Sequence, residues 1–271
     1  MKYIVYAYCQ IMFMELKKNK IVLMGAGNVA THLGLALQEK GFSIVQVYSR
    51  TFTSAERLGN LLQTNYTNEL QAVYPDADIY IFSVKDAVLS SVLGELPALS
   101  GLLIHTAGSL PLDAFAGCSQ RFGVLYPLQT FGKNRKISFE NIPVFIEANN
   151  PSDEQLLEEI ASVISNKVFR LTSEKRKFLH LAAVFACNFT NHLYAQAAEI
   201  MEEQDLPWEL LLPLVQETAD KIKDLHPREA QTGPAVRYDE NVINRHLELL
   251  NKEVEKQTIY LLLSQSIHRK K

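Results

Sequence analysis

The chain has 271 residues, 47% of them hydrophobic and 21% charged, which is apolar enough for two packed domains and too apolar for a disordered chain. Its 27 Lys+Arg against 30 Asp+Glu leave a net charge of -3, so no global basic field draws it to nucleic acid or an anionic membrane. Cys9, Cys118 and Cys187 stand far apart and form no CxxC pair, which argues against a metal site or a disulfide scaffold and for a reducing, cytoplasmic home.

Met1 to Met14 is apolar and aromatic, with Lys2 its one early charge and no small-residue cleavage site after it. Residues 1–19 therefore read as an N-terminal extension rather than a secretory signal, with Met14 an alternative start. Ile21 to Met24 predicts a strand, Val29 to Glu39 a helix closed by Gly41, and Ser43 to Tyr48 the next strand; this is the length of a βαβ unit. The alternation continues with a helix at Ser54 to Leu62, a strand at Asp78 to Val84 and a helix at Ala87 to Leu96. Strands follow at Leu102 to His105, Phe122 to Leu125 and Val144 to Glu147, then a helix at Asp153 to Ser165 and a last strand at Lys167 to Leu171. Such alternation implies a doubly wound, mainly parallel sheet covered on both faces, the Rossmann-type α/β class, over residues 20–172. Beyond Thr172 the pattern turns helical. Glu174 to Glu203 reads as one long buried helix, Pro207 to about Asp224 as a second, and Asn241 to Ile267 as a third, so residues 173–271 form an all-helical domain.

The strongest chemical signal is Gly25-Ala26-Gly27-Asn28-Val29-Ala30, a GxGxxA between strand and helix. Gly25 permits the tight turn, Gly27 lets the backbone approach a diphosphate, and Ala30 lets the helix pack closely on the sheet. The helix opening then offers free N–H groups and a positive dipole end. About twenty residues on, where an NAD site usually carries a carboxylate, stand Ser49, Arg50 and Thr51. Arg50 can pair with a 2′-phosphate, so NADP is favoured over NAD. Two further strand ends, Ser83-Val84-Lys85-Asp86 and His105-Thr106-Ala107-Gly108-Ser109, point at the same crevice, as a nucleotide site requires.

On these motifs residues 20–171 resemble the nucleotide-binding domain of the 6-phosphogluconate dehydrogenase-like superfamily. That group includes pyrroline-5-carboxylate reductase, prephenate dehydrogenase, ketopantoate reductase and the NADP oxidoreductases that reduce deazaflavin. The whole chain is similar to a bacterial family of NADP oxidoreductases that joins a Rossmann-like domain to a helical domain of unknown function. That match is carried by His105 to Ser109, by Tyr126-Pro127-Leu128-Gln129-Thr130-Phe131 and by Leu179 to Leu193. Tyr126-Pro127-Leu128 is similar to the His-Pro-Met of prephenate dehydrogenases, with Tyr in place of His.

On the helical side His180, Val184, Asn188, Asn191 and Ala195 recur at helical spacing on one face of an apolar stretch. Buried amides and an imidazole need partners, supplied by the protein or by a polar substrate in an interdomain cleft. The expected catalytic set is His180 for proton transfer, His105 lining the nicotinamide end, and Asn188 and Asn191 orienting the substrate. The expected cofactor set is Gly25, Gly27, Asn28, Val29, Ala30, Ser49, Arg50, Thr51, Ser83, Val84, Asp86, His105, Thr106 and Ala107. Arg237, after Thr232-Gly233-Pro234, is either a carboxylate clamp or a surface Arg. The superfamily's hydroxyacid dehydrogenases carry a lysine four residues before an Asn on this helix; here Val184 and Cys187 occupy those positions. A keto or imine reductase using another acid fits, and so does a non-catalytic NADP-binding sensor. The resemblance also implies a homodimer, built through the helical domain and acting on a small-molecule substrate.

Overall fold

In a computed structural model of the protein, residues 14–132 and 135–269 are described. The proposed extension and Cys9 lie outside them as far as residue 13. Residues 14–18 are helical, and Leu16 is buried in the core beside the sheet. The chain divides into two compact units, Met1–Cys187 and Asn188–Lys271.

The first unit is built on eight strands in the order β3-β2-β1-β4-β5-β6-β7-β8. These are β1 (Lys20–Met24), β2 (Ser43–Tyr48), β3 (Asn65–Thr67), β4 (Ile79–Phe82), β5 (Leu102–His105), β6 (Phe122–Pro127), β7 (Val144–Ala148) and β8 (Val168–Arg170). All neighbours pair in parallel except β6 with β7, which run antiparallel. The strand order reverses between β1 and β4, which opens a crevice at their carboxyl ends. β3 is absent from the sequence-based reading. It is short and polar and owes its conformation to pairing with β2, not to its own composition.

The apolar runs read as strands are buried on both faces. Ile21 and Leu23 pack with Leu33 and Leu37 of helix α1 (Asn28–Glu39), Leu58 of α2 (Phe52–Leu61) and Ile160 of α4 (Pro151–Ile164). Val22 and Met24 face the other way, against Leu89 of α3 (Asp86–Glu95) and Phe115. The two layers explain why the strands show continuous rather than alternating hydrophobicity.

Helix α4 opens with a built cap. The Asn150 side chain accepts from Asp153 N at 2.9 Å, and Asp153, only 2% exposed, receives Arg121 through Nε at 3.1 Å and Nη2 at 2.5 Å. Burial pushes the Asp153 carboxyl up, but the bonds from Arg121 and Asn150 outweigh it and hold it below the usual carboxylate range.

The second unit consists of helices α6 (Thr190–Glu202), α7 (Leu212–Lys221), α8 (Pro234–Arg237), α9 (Glu240–Leu249) and α10 (Val254–Arg269). Three expectations change here. The final helix is not continuous. It closes at Leu250 and restarts at Val254, where Gln257 donates its side-chain amide to Leu247 O at 2.6 Å and satisfies a carbonyl left by the break. The long helix from 174 to 203 is continuous but contains a π-helical turn at Val184–Phe189, which carries residues beyond it out of simple i, i+4 register with His180. Nor is that helix buried. Leu181 is 51% and Leu193 37% exposed, because its apolar content has no covering layer among the described residues. Among the described residues of this unit only Ala235, Ile243, Lys256 and Ser264 are buried. Lys256 is held by Glu199 at 3.1 Å, Glu253 at 3.3 Å and Glu203 at 3.5 Å, which ties α10 to α6.

Asp153→Asn removes the charge that Arg121 requires and should lower unfolding free energy by about 1–3 kcal/mol in urea titration at pH 7. Because the folded pKa of Asp153 is depressed, its contribution is complete above the ordinary carboxylate pKa and is lost as pH falls through the folded value. The gap between wild type and variant should therefore narrow in acid.

Candidate functional site

The turn after β1 has the geometry its glycines require. Gly25 sits at φ +122°, and a Cβ there would lie 2.6 Å from Ser83 O, so no other residue fits. Its N–H donates to Tyr48 O at 2.8 Å, which fixes the turn to β2. Gly27 precedes α1 with no side-chain cap, and the space a Cβ would occupy is open. The first helical bond runs from Thr31 N to Gly27 O at 2.9 Å, so the amides of Asn28, Val29 and Ala30 precede the ladder. Ala30 is fully buried against the sheet. An uncapped helix opening beside an empty cradle is a fitting seat for a dinucleotide diphosphate.

The surrounding strand ends take their expected places. Ser49 N donates to Thr67 O at 3.1 Å, the exposed Arg50 follows, and Thr51 opens α2 with its hydroxyl on Ser54 Oγ at 2.8 Å. At the end of β4 Ser83 N continues the pairing to Met24 O, and Thr106 donates its hydroxyl to Ser83 Oγ at 3.1 Å. Val84, which is half-buried, lies within van der Waals reach of Gly25. Ser109 donates to Asp86 at the start of α3.

His105 closes β5 and is 1% exposed. Ala107 N donates to its Nδ1 at 3.2 Å, and its Nε2 stands 3.2 Å from Pro111 O. Only the tautomer with the proton on Nε2 satisfies both contacts. Burial, followed by the charge of Arg176, pushes its pKa down to about 4. His105 is thus a neutral wall with both ring nitrogens in use and no proton to spare.

His180 is placed differently. Helix α5 (Ser173–Ala183) is anchored by Arg176, which is wholly buried and donates to Glu147 Oε2 at 2.7 Å, Leu110 O at 2.5 Å and Ser173 Oγ at 3.0 Å. Ser173 in turn donates to Glu147 at 2.6 Å and accepts from Leu112 N at 2.7 Å. One turn on, His180 Nδ1 lies 3.0 Å from the hydroxyl of Tyr126, the penultimate residue of β6. The two rings meet edge to face at 6.0 Å. A Cβ on Gly108 would come within 2.6 Å of the His180 ring, so that glycine is the floor on which the imidazole rests. Tyr126 is 8% exposed; burial raises its pKa and the Arg176 charge pulls it down.

His180 and His105 thus both stand at the carboxyl edge of the first unit. Asn188 and Asn191 belong to the second unit and are exposed, as are His192 and Arg237. Sequence reasoning gave Tyr126 no role of its own and passed over Arg176 and Glu147. Arg176 sits in Ser-Glu-Lys-Arg-Lys-Phe, which looks like a solvated first turn; its place one turn before His180 was the available signal.

Residues 20–106 match the family model described as NADP oxidoreductase coenzyme F420-dependent, and residues 142–267 match a domain of unknown function, DUF2520. No curated protein matches the chain. Among solved structures, BF3122 of Bacteroides fragilis, assigned by its name to the NADP oxidoreductases, is 49% identical, with 94% of this chain and 99% of that one covered and a TM-score of 0.89. Protein TM1727 of Thermotoga maritima is 23% identical over 92% of this chain and 99% of its own, at a TM-score of 0.74. The 1-pyrroline-5-carboxylate reductase of Streptococcus pyogenes shares the fold at 13% identity, 93% and 99% coverage, and a TM-score of 0.61.

The His105 ring should titrate near pH 4 by NMR. Because its folded pKa lies below the ordinary value, stability should fall as pH drops through the interval from about 6.5 to about 4. Gly108→Ala should displace the His180 ring and shift its resonances at pH 7 while leaving those of His105 in place.

The chain belongs to the NADP oxidoreductase family that the Bacteroides fragilis protein represents.

Proposed function

We propose that the protein transfers a hydride between NADP and a small polar metabolite of keto or imine type, with His180 exchanging the proton. The observation that carries this is the Tyr126 hydroxyl on His180 Nδ1 beside Gly108, at the sheet edge that also holds the uncapped amides of α1. Bound NADPH would supply the hydride. The amides of Asn28 to Ala30 would hold the diphosphate, and Arg50 the 2′-phosphate.

The reading requires the tautomer in which the Tyr126 hydroxyl donates to Nδ1 and Nε2 carries the ring proton. Among the described residues no hydrogen bond engages Nε2, so that proton could pass to the oxygen or nitrogen beside the reacting carbon. Nδ1 would take the Tyr126 proton as Nε2 gives up its own; burial raises the Tyr126 pKa and opposes this step, and the Arg176 charge offsets part of that cost. His105, already neutral and occupied, would line the nicotinamide end. Asn188 and Asn191 remain candidates for orienting substrate.

The second unit supports a homodimer. Its large apolar side chains are exposed, with Leu210 at 61%, Leu214 at 64% and Leu262 at 60%, while its own core is small. Surface of this kind needs a partner, and a second copy supplies the same helices.

With NADPH and a panel of keto acids and cyclic imines, wild type should consume cofactor, and His180→Ala should be slower by about 10²-fold or more; equal rates would remove His180 from the chemistry. Light scattering should return twice the chain mass, and Leu214→Asp should lower it together with the thermal midpoint; a stable wild-type monomer would end the dimer proposal.

A further inference from the structure

We infer that Arg57, together with Arg50, forms a two-armed site for the 2′-phosphomonoester of the cofactor, and that Arg57 is a determinant of NADP over NAD. The inference rests on the dinucleotide reading above. Arg57 projects from α2, seven residues and about two helical turns after Arg50. Its Nη2 reaches Ala26 O, between the two glycines of the turn, at 3.5 Å. This is the only hydrogen bond described for its guanidinium, so the remaining donors of the fork are uncommitted among the described residues. Beside it lies a cavity of about 530 Å³, lined by Asn28 and Thr31 from the first turn of α1 and by Arg57, Leu58 and Asn60 from α2.

The placement follows from the fold. A diphosphate seated on the amides of Asn28 to Ala30 sends the adenosine ribose toward β2, the next strand outward, whose end is Ser49. A group on the ribose 2′-oxygen then lies between that strand end and the glycine turn. Arg50 is exposed two residues past the end of β2. Arg57 approaches this point from the helix, already resting on the turn itself. A phosphomonoester is close to a dianion at neutral pH, so one guanidinium leaves it half-compensated and two match its charge. Without the phosphate, Arg57 meets only neutral ribose hydroxyls, so its contribution separates the two cofactors.

The test is calorimetric titration of the full chain with NADP, NAD, adenosine 2′,5′-bisphosphate and AMP, for wild type, Arg57→Gln and Arg57→Lys. Arg57→Gln should weaken NADP and the bisphosphate by about tenfold or more, the weight of one charge-assisted bond, and leave NAD and AMP within about twofold. Arg57→Lys should recover part of the loss, since the charge returns without the planar fork. Unchanged NADP affinity in Arg57→Gln, or an equal loss for NAD, would overturn the assignment while leaving the dinucleotide site in place. Failure of wild type to bind either dinucleotide would instead remove the parent reading, and this one with it.

Discussion

The buried ion pair between Arg176 and Glu147 holds the candidate site together. It joins helix α5, the antiparallel strand β7 and the loop after β5 through a guanidinium with no exposure to water. A charge so placed is tolerable only while its partners stay, and losing one leaves the other stranded at a cost of several kcal/mol. The helix is therefore pinned in rotation and height. His180, one turn further on, has little choice but to rest on Gly108 and meet Tyr126. The same charge helps keep His105 neutral and works against the burial that raises Tyr126.

This arrangement divides labour between two histidines that look alike in sequence. His105 is satisfied on both ring nitrogens and sealed from solvent, which suits a wall. His180 has one nitrogen engaged by the Tyr126 hydroxyl and is only half-buried, as a proton-exchanging group would be. The nucleotide end relies on backbone rather than side chains. There Gly25 and Gly27 shape a turn whose free amides face open space.

The second unit follows a different logic. Its helices carry many leucines, yet few of its described side chains are buried. The Lys256 cluster ties two helices together electrostatically where a compact domain would rely on packing. Such a unit is stable when its apolar faces are covered.

The strand-turn-helix of the nucleotide site, the order of strands and helices, and the change to an all-helical second half were legible from periodicity and glycine placement, because each is a local property of the chain. Short polar β3, the antiparallel turn of β7 and the break before Val254 were not, since pairing and capping partners decided them. Burial was the least legible property: Arg176, passed over in the sequence, is sealed, and the helix after His180 looked buried and is exposed. Sequence alone determined which elements form and where backbone amides are left free, because hydrogen bonding and steric limits act within a few residues. Tertiary structure alone decided which charges are buried and which side chains meet across the fold, because both depend on neighbours that come from distant parts of the chain.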